Sequence, residues 1–126
     1  MKKKWSNKWK SSIQPRKQRK YIYNLPLHLA KKRLRSILSK DLRKKHKIRN
    51  ILLKQGDKVK IMRGDNKGKI GKVTKISYVR NFIHIENIEH IKKDGNKVPL
   101  KLKASNLMVL ELNLDDKKRK LGLEKK

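Results

Sequence analysis

The chain has 126 residues, of which 39 are Lys or Arg and 10 are Asp or Glu, for a formal net charge of +29. So lopsided a charge on so short a chain excludes one self-sufficient core throughout and points to a polyanionic partner, nucleic acid first. The lack of cysteine excludes a disulfide framework and a thiolate metal site, and no apolar run is long enough to cross a bilayer.

Residues 1–20 form a basic tail, mixing Lys, Ser, Gln and Pro with little apolar periodicity, and they are expected to be disordered when free. No apolar segment follows Lys2–Lys4 as a secretory signal would require, so a soluble, unprocessed interior protein is expected. Trp5 and Trp9, four residues apart, could pair on one helix face, stack on unpaired bases, or be incidental aromatics in a flexible tail. The charge is densest here and just beyond: residues 1–54 hold 20 Lys or Arg against the single acid Asp41.

Residues 21–51 are expected to be a basic helical extension. Pro26 can open a helix, and Leu27, Ala30, Leu34, Ile37 and Leu38 fall on one side, opposite Lys31, Lys32 and Arg35. Ser39 is then a cap with Asp41 in the first turn of a second short helix, Leu42 to Lys47. Such a basic amphipathic segment also suits a membrane surface or calmodulin, but no anchoring aromatics stand beside it, so packing on the domain or on RNA is the preferred reading.

Residues 52–112 carry the globular pattern. Val59 and Ile61 alternate with Lys58 and Lys60, a strand with one face buried; Arg63-Gly64-Asp65-Asn66-Lys67-Gly68 is a tight, exposed turn. Ile70, Val73 and Ile76 continue a strand whose odd spacing predicts a bulge, with Gly71 where backbones approach closely. Ile83, Ile85, Ile88 and Ile91 give a third strand, Lys93-Asp94-Gly95-Asn96 a hairpin turn, and Val98 and Leu100 a fourth strand that Pro99 confines to an edge. Met108, Leu110 and Leu112 alternate with Val109, Glu111 and Asn113 as a closing strand. Five short strands predict a mainly β fold with α extensions, a small SH3-like five-stranded barrel. Residues 113–126 form a basic C-terminal tail or short helix, with Asp115-Asp116 ahead of Lys117–Lys120 as a helix dipole prefers.

The glycines Gly56, Gly64, Gly68 and Gly71, set in Gly-Asp-x-Val, Arg-Gly-Asp-x-Lys-Gly and Gly-Lys-Val, resemble a KOW motif. Its flanks narrow the resemblance: Gln14 to Lys20, Tyr23-Asn24-x-Pro26-Leu27-His28, Leu38 to Arg43, and Leu114 to Lys120. Together they resemble the archaeal form of the large-subunit ribosomal protein numbered twenty-four, from about Gln14 to Lys120. The chain departs from that pattern at Lys45-His46-Lys47-Ile48, where Tyr-Gly is usual, and at Leu100 to Ser105, which lacks a His-Pro pair. The resemblance implies the barrel, and a structural role in the cytoplasmic large ribosomal subunit. It also implies direct binding to large-subunit (23S) rRNA near its 5′ region, help in initiating assembly, and neighbouring ribosomal proteins near the polypeptide exit tunnel.

The candidate chemistry is phosphate binding. Arg16, Lys17, Arg19 and Lys20 in the tail, Lys31, Lys32, Arg33 and Arg35 in the helical segment, and Arg63, Lys67, Lys69 and Lys72 around the KOW loop are the candidate RNA contacts. No nucleophile elbow, phosphate-loop lysine motif or zinc spacing appears, so neither enzyme activity, cofactor nor small-molecule substrate is expected, nor a homo-oligomer. His84, Glu86 and His90 could in principle hold a metal but fit better as a solvated strand face, and Arg63-Gly64-Asp65 is explained by its turn rather than by cell adhesion. Two other nucleic-acid readings compete. A transcription elongation KOW domain would need a polymerase-binding domain that residues 1–54 are too basic to form. A DNA condenser would not need the barrel.

Overall fold

The computed structural model describes residues 5–9 and 11–124. Along the chain run α1 (Pro15–Tyr23), α2 (Leu27–Ala30) leading into a 3-10 turn (Lys31–Leu34), β1 (Arg35–Leu38), α3 (Lys40–His46) and β2 (Asn50–Leu52). Then come β3 (Lys58–Ile61), β4 (Ile70–Ser77), β5 (Phe82–Ile85), β6 (Glu89–Ile91), β7 (Lys97–Pro99), a second 3-10 turn (Ala104–Asn106), β8 (Leu107–Glu111) and α4 (Lys117–Glu124). The architecture is mixed α/β, mainly strand: a six-stranded sheet ordered β2-β1-β8-β3-β4-β5, with β6 and β7 paired as a separate hairpin.

The inner face of the sheet is built by period-two burial. Val59 and Ile61 of β3, Ile83 and Ile85 of β5, and Leu107 and Val109 of β8 are all buried, and Leu34, Leu38, Leu53, Val73, Ile88, Leu102 and Ala104 complete the cluster around them. Each such aliphatic side chain, fully buried, contributes about 1.5–3 kcal/mol relative to exposure. The closing strand is phased opposite to the expectation: Leu107 and Val109 face inward, whereas Met108 and Leu110 are only half-buried. Leu112 lies just past the strand, packed against the edge of the cluster.

A second correction concerns Arg35–Leu38, expected to be helical but found as β1, antiparallel to β2 and parallel to β8. Leu34 and Leu38 fit a helical spacing of four, yet Ser36 between them is also buried, so the period is two. A buried polar residue masked the alternation, and it is tolerated because its hydroxyl donates to the Leu107 carbonyl. The helix that follows begins as expected: Ser39 Oγ accepts from the Leu42 N–H at 3.4 Å, and Asp41 lies in the first turn of α3.

Two further differences are local. α1 starts at Pro15, inside the segment expected to lack structure, with proline in the first turn where its missing donor costs nothing. Residues 5–9 are not helical, so Trp5 and Trp9 do not pair along a helix; both rings lie against Tyr21 instead. The isoleucine run from Ile83 to Ile91 divides into β5 and β6 because Asn87 takes a left-handed φ of 59° between them, so residues 52–112 contribute six strands rather than five. The expected irregularity in β4 falls at Thr74, where the register to β5 shifts between Val73 and Lys75 and the Thr74 hydroxyl donates to the His84 carbonyl.

Candidate nucleic-acid interface

The β3–β4 connection is a rigid basic loop. Its neck is closed by the Ile61 N–H donating to the Lys69 carbonyl at 2.9 Å and the Gly68 N–H donating to the Ile61 carbonyl at 2.8 Å. The Met62 N–H reaches the Asn106 carbonyl at 2.8 Å, fastening the loop base to the turn before β8. Gly64 and Gly68 have φ of 88° and 89°, values that side-chain-bearing residues rarely adopt, which lets the loop turn within so few residues. Gly56 also has positive φ, at 86°.

Gly71 is used differently. A Cβ there would lie 2.6 Å from Ile85 Cγ2 and 2.9 Å from the Glu86 carbonyl oxygen, so the missing side chain is what allows β4 and β5 to approach. Arg63, Lys67 and Lys69 stand exposed on the loop, with Lys69 Nζ 2.7 Å from Asn66 Oδ1. Lys72 projects from the outer face of β4 opposite Lys58, whose own charge is met by Glu111 at 2.7 Å.

The other candidates occupy two further places. Lys31, Lys32 and Arg35 rim a groove of 560 Å³ whose apolar wall is Leu27 and Leu52, with His28 beside them. Lys31 also lies 5.4 Å from the centre of the Tyr78 ring, a cation–π contact. Arg33 is exposed but does not line that groove. Arg16, Lys17, Arg19 and Lys20 are exposed on α1, which has no buried residue. All twelve cations are therefore solvent-facing, and among the described residues the three ion pairs use Lys54, Lys58 and Arg119 instead.

The structure adds a mainly basic hollow of 440 Å³ that the sequence pattern did not single out, where Lys45, His46 and Lys47 at the end of α3 face Lys120, Leu123 and the acidic Glu124 of α4. The runs Lys44-Lys45 and Lys117–Lys120 were visible in the sequence, but their meeting depends on how α4 docks. Docking is set by Asp57, fully buried, whose carboxylate accepts from Arg119 Nη1 at 2.6 Å, Arg119 Nη2 at 2.8 Å, the Lys54 N–H at 2.8 Å and the Asn113 N–H at 2.9 Å. Outside this pair, Asp116 accepts from the Lys54 ammonium and from the Lys118 N–H, which together hold its carboxyl below the usual carboxylate range.

His84 Nδ1 lies 3.0 Å from the Leu100 carbonyl and its ring packs edge-on to Phe82, while Glu86 and His90 are exposed. Among the described residues there is no group of three or more His, Cys, Asp or Glu placed to hold a metal, and no helix is long and apolar enough to cross a membrane.

Against known proteins, residues 12–126 match the ribosomal L26 family, which takes in the eukaryotic L26 proteins and their archaeal L24 counterparts. The chain is 43% identical over 108 residues to the large ribosomal subunit protein uL24 of Methanothrix thermoacetophila, covering 86% of this chain and 93% of that protein. It is 42% identical over 113 residues to the large ribosomal subunit protein uL24 of Haloquadratum walsbyi, covering 90% and 95%. The chain belongs to the ribosomal protein L26 family, in its archaeal, uL24 form.

Proposed function

We propose that the chain is a non-enzymatic structural constituent of the large ribosomal subunit. It binds large-subunit (23S) rRNA directly near its 5′ region, helps initiate subunit assembly and lies beside other large-subunit proteins near the exit tunnel. The observation that carries this reading is the placement of the twelve candidate cations: all are exposed, and four of them stand on or beside a loop whose neck is hydrogen-bonded shut. A rigid loop presents Arg63, Lys67, Lys69 and Lys72 without an ordering cost for its backbone, while α1 and the Lys31–Arg35 segment extend the positive surface away from it. Such a surface suits recognition of folded RNA by shape and backbone. The bend at Thr74 and the antiparallel bridge between Ile83 and Leu102 support a sheet that curls toward an SH3-like barrel.

Competition binding at near-physiological salt tests the reading, with a labelled 5′-domain fragment of large-subunit rRNA and excess tRNA and duplex DNA as competitors. Retention of the rRNA against both is expected. Equal displacement by either would leave charge alone as the explanation of binding.

A further inference from the structure

Residues 5–9 lie ahead of the stretch that matches the family, yet they are tied to α1 by aromatic packing. The Trp9 indole stacks on the Tyr21 ring with centroids 4.5 Å apart and planes 22° from parallel, and Trp5 leans on the same ring at 5.7 Å and 39°. Stacking covers one face of the Trp9 indole, while the residue stays 36% exposed. Exposed Lys8 adjoins it in the chain, and on α1 exposed Lys17 lies one turn before Tyr21 and exposed Lys20 immediately before it. A part-exposed indole backed by a second ring, with exposed lysines beside both rings in the chain, has the chemistry of an unpaired nucleotide site: the base lies on the indole and its phosphates meet the lysines.

We propose that Trp9, backed by Tyr21, is a stacking platform for one unpaired base of RNA. The inference rests on the rRNA-binding reading and adds to it an interaction that a duplex cannot make, since paired bases keep their faces stacked on one another. An acidic peptide could satisfy the lysines but brings no flat ring for the indole.

Both tryptophans of the chain belong to this cluster, so tryptophan emission of the full-length protein reports on it alone. The protein is titrated at near-physiological salt with a short single-stranded RNA of mixed sequence, with the same strand annealed to its complement, and with polyglutamate. Saturable quenching by the single strand, and much weaker quenching by the other two, is expected. Trp9→Leu should weaken single-strand binding roughly tenfold, and Trp9→Phe should restore most of it; circular dichroism of each variant checks that the sheet is intact. Equal quenching by duplex or polyglutamate, or unchanged affinity in Trp9→Leu, overturns the platform. If the parent protein still retains the rRNA fragment against competitors, only the platform falls; if it loses that too, the RNA-binding reading falls with it.

Discussion

Arg119 and Asp57 form a buried bidentate ion pair between α4 and the residue before β3, the arginine side chain 5% exposed and the aspartate side chain 0%. The same guanidinium donates to the carbonyls of Asn113 and Leu52, so a single side chain ties the 113–119 stretch to the 52–57 stretch, which lies far from it in sequence. Removing one partner strands a buried charge. Arg119→Met is expected to cost about 3–5 kcal/mol, read from urea unfolding, and to expose the α4 segment to trypsin. Adding Asp57→Asn to Arg119→Met should recover part of that loss, because no carboxylate is then left unpaired. Strictly additive losses would show that the two groups act independently.

Gly71→Val should destabilise the protein by at least about 2 kcal/mol, because even the Cβ would collide with Ile85 Cγ2 and the Glu86 carbonyl. Gly64→Ala provides the contrast: nothing lies within 4 Å of its Cβ, so only the backbone strain at φ 88° is felt, about 1 kcal/mol. Thermal melts of the two variants side by side check the difference. Equal losses would mean that close approach at Gly71 is not what matters there.

These contrasts indicate which parts of the fold could be seen in the sequence. Val59, Ile61, Ile83 and Ile85 announce their strands because inward apolar and outward polar residues alternate openly, and Ser39 and Gly95 mark a cap and a turn by local chemistry. β1 stayed hidden because Ser36 fills an inward position, its hydroxyl answered by a carbonyl 71 residues away. Arg119 stayed hidden for the same reason: within Lys117–Lys120 it looks like any solvated cation, and only its partner 62 residues earlier makes it part of the interior. Among the candidate contacts the basic runs were plain, but the groove that sets Lys31, Lys32 and Arg35 against Leu52 depends on the pairing of β1 with β2.

Lys47, just after α3, has φ 54° and ends the helix in the left-handed conformation, with its N–H donating to the Arg43 carbonyl. A side-chain-bearing residue there is strained. Lys47→Gly is expected to raise stability by about 0.5–1 kcal/mol, the relief of strain being partly offset by the greater freedom of glycine in the unfolded chain. An unchanged or lowered urea midpoint would show that the Lys47 side chain makes a compensating contribution.

Asp116 couples stability to pH. Its carboxyl is held below its ordinary value of 3.8, first by the hydrogen bond from the Lys54 ammonium and next by the Lys118 N–H. A carboxylate whose folded pKa is depressed contributes stability above the unfolded value and loses it as pH falls through the folded one. Asp116→Asn should therefore melt lower than the parent at neutral pH, and the gap should close in acid below 3.8. The site is exposed, so the gap should be small and shrink in salt. A gap that persists unchanged into acid would remove the charge from the explanation.

The α1 cations provide the most direct test of the proposed RNA binding. Replacing Arg16, Lys17, Arg19 and Lys20 with glutamine keeps helix-forming side chains on α1 while removing four charges from a surface that buries no residue of its own. The fold should be unaffected, since none of the four takes part in an ion pair among the described residues. Affinity for the rRNA fragment should fall, and its dependence on salt should flatten by roughly 0.7–0.9 in logarithmic slope for each phosphate no longer neutralised. The size of that flattening gives the number of phosphates that α1 engages. A drop near the full four would make α1 a phosphate-binding arm throughout, whereas an unaltered slope would leave RNA binding to the β3–β4 loop and the Lys31–Arg35 groove.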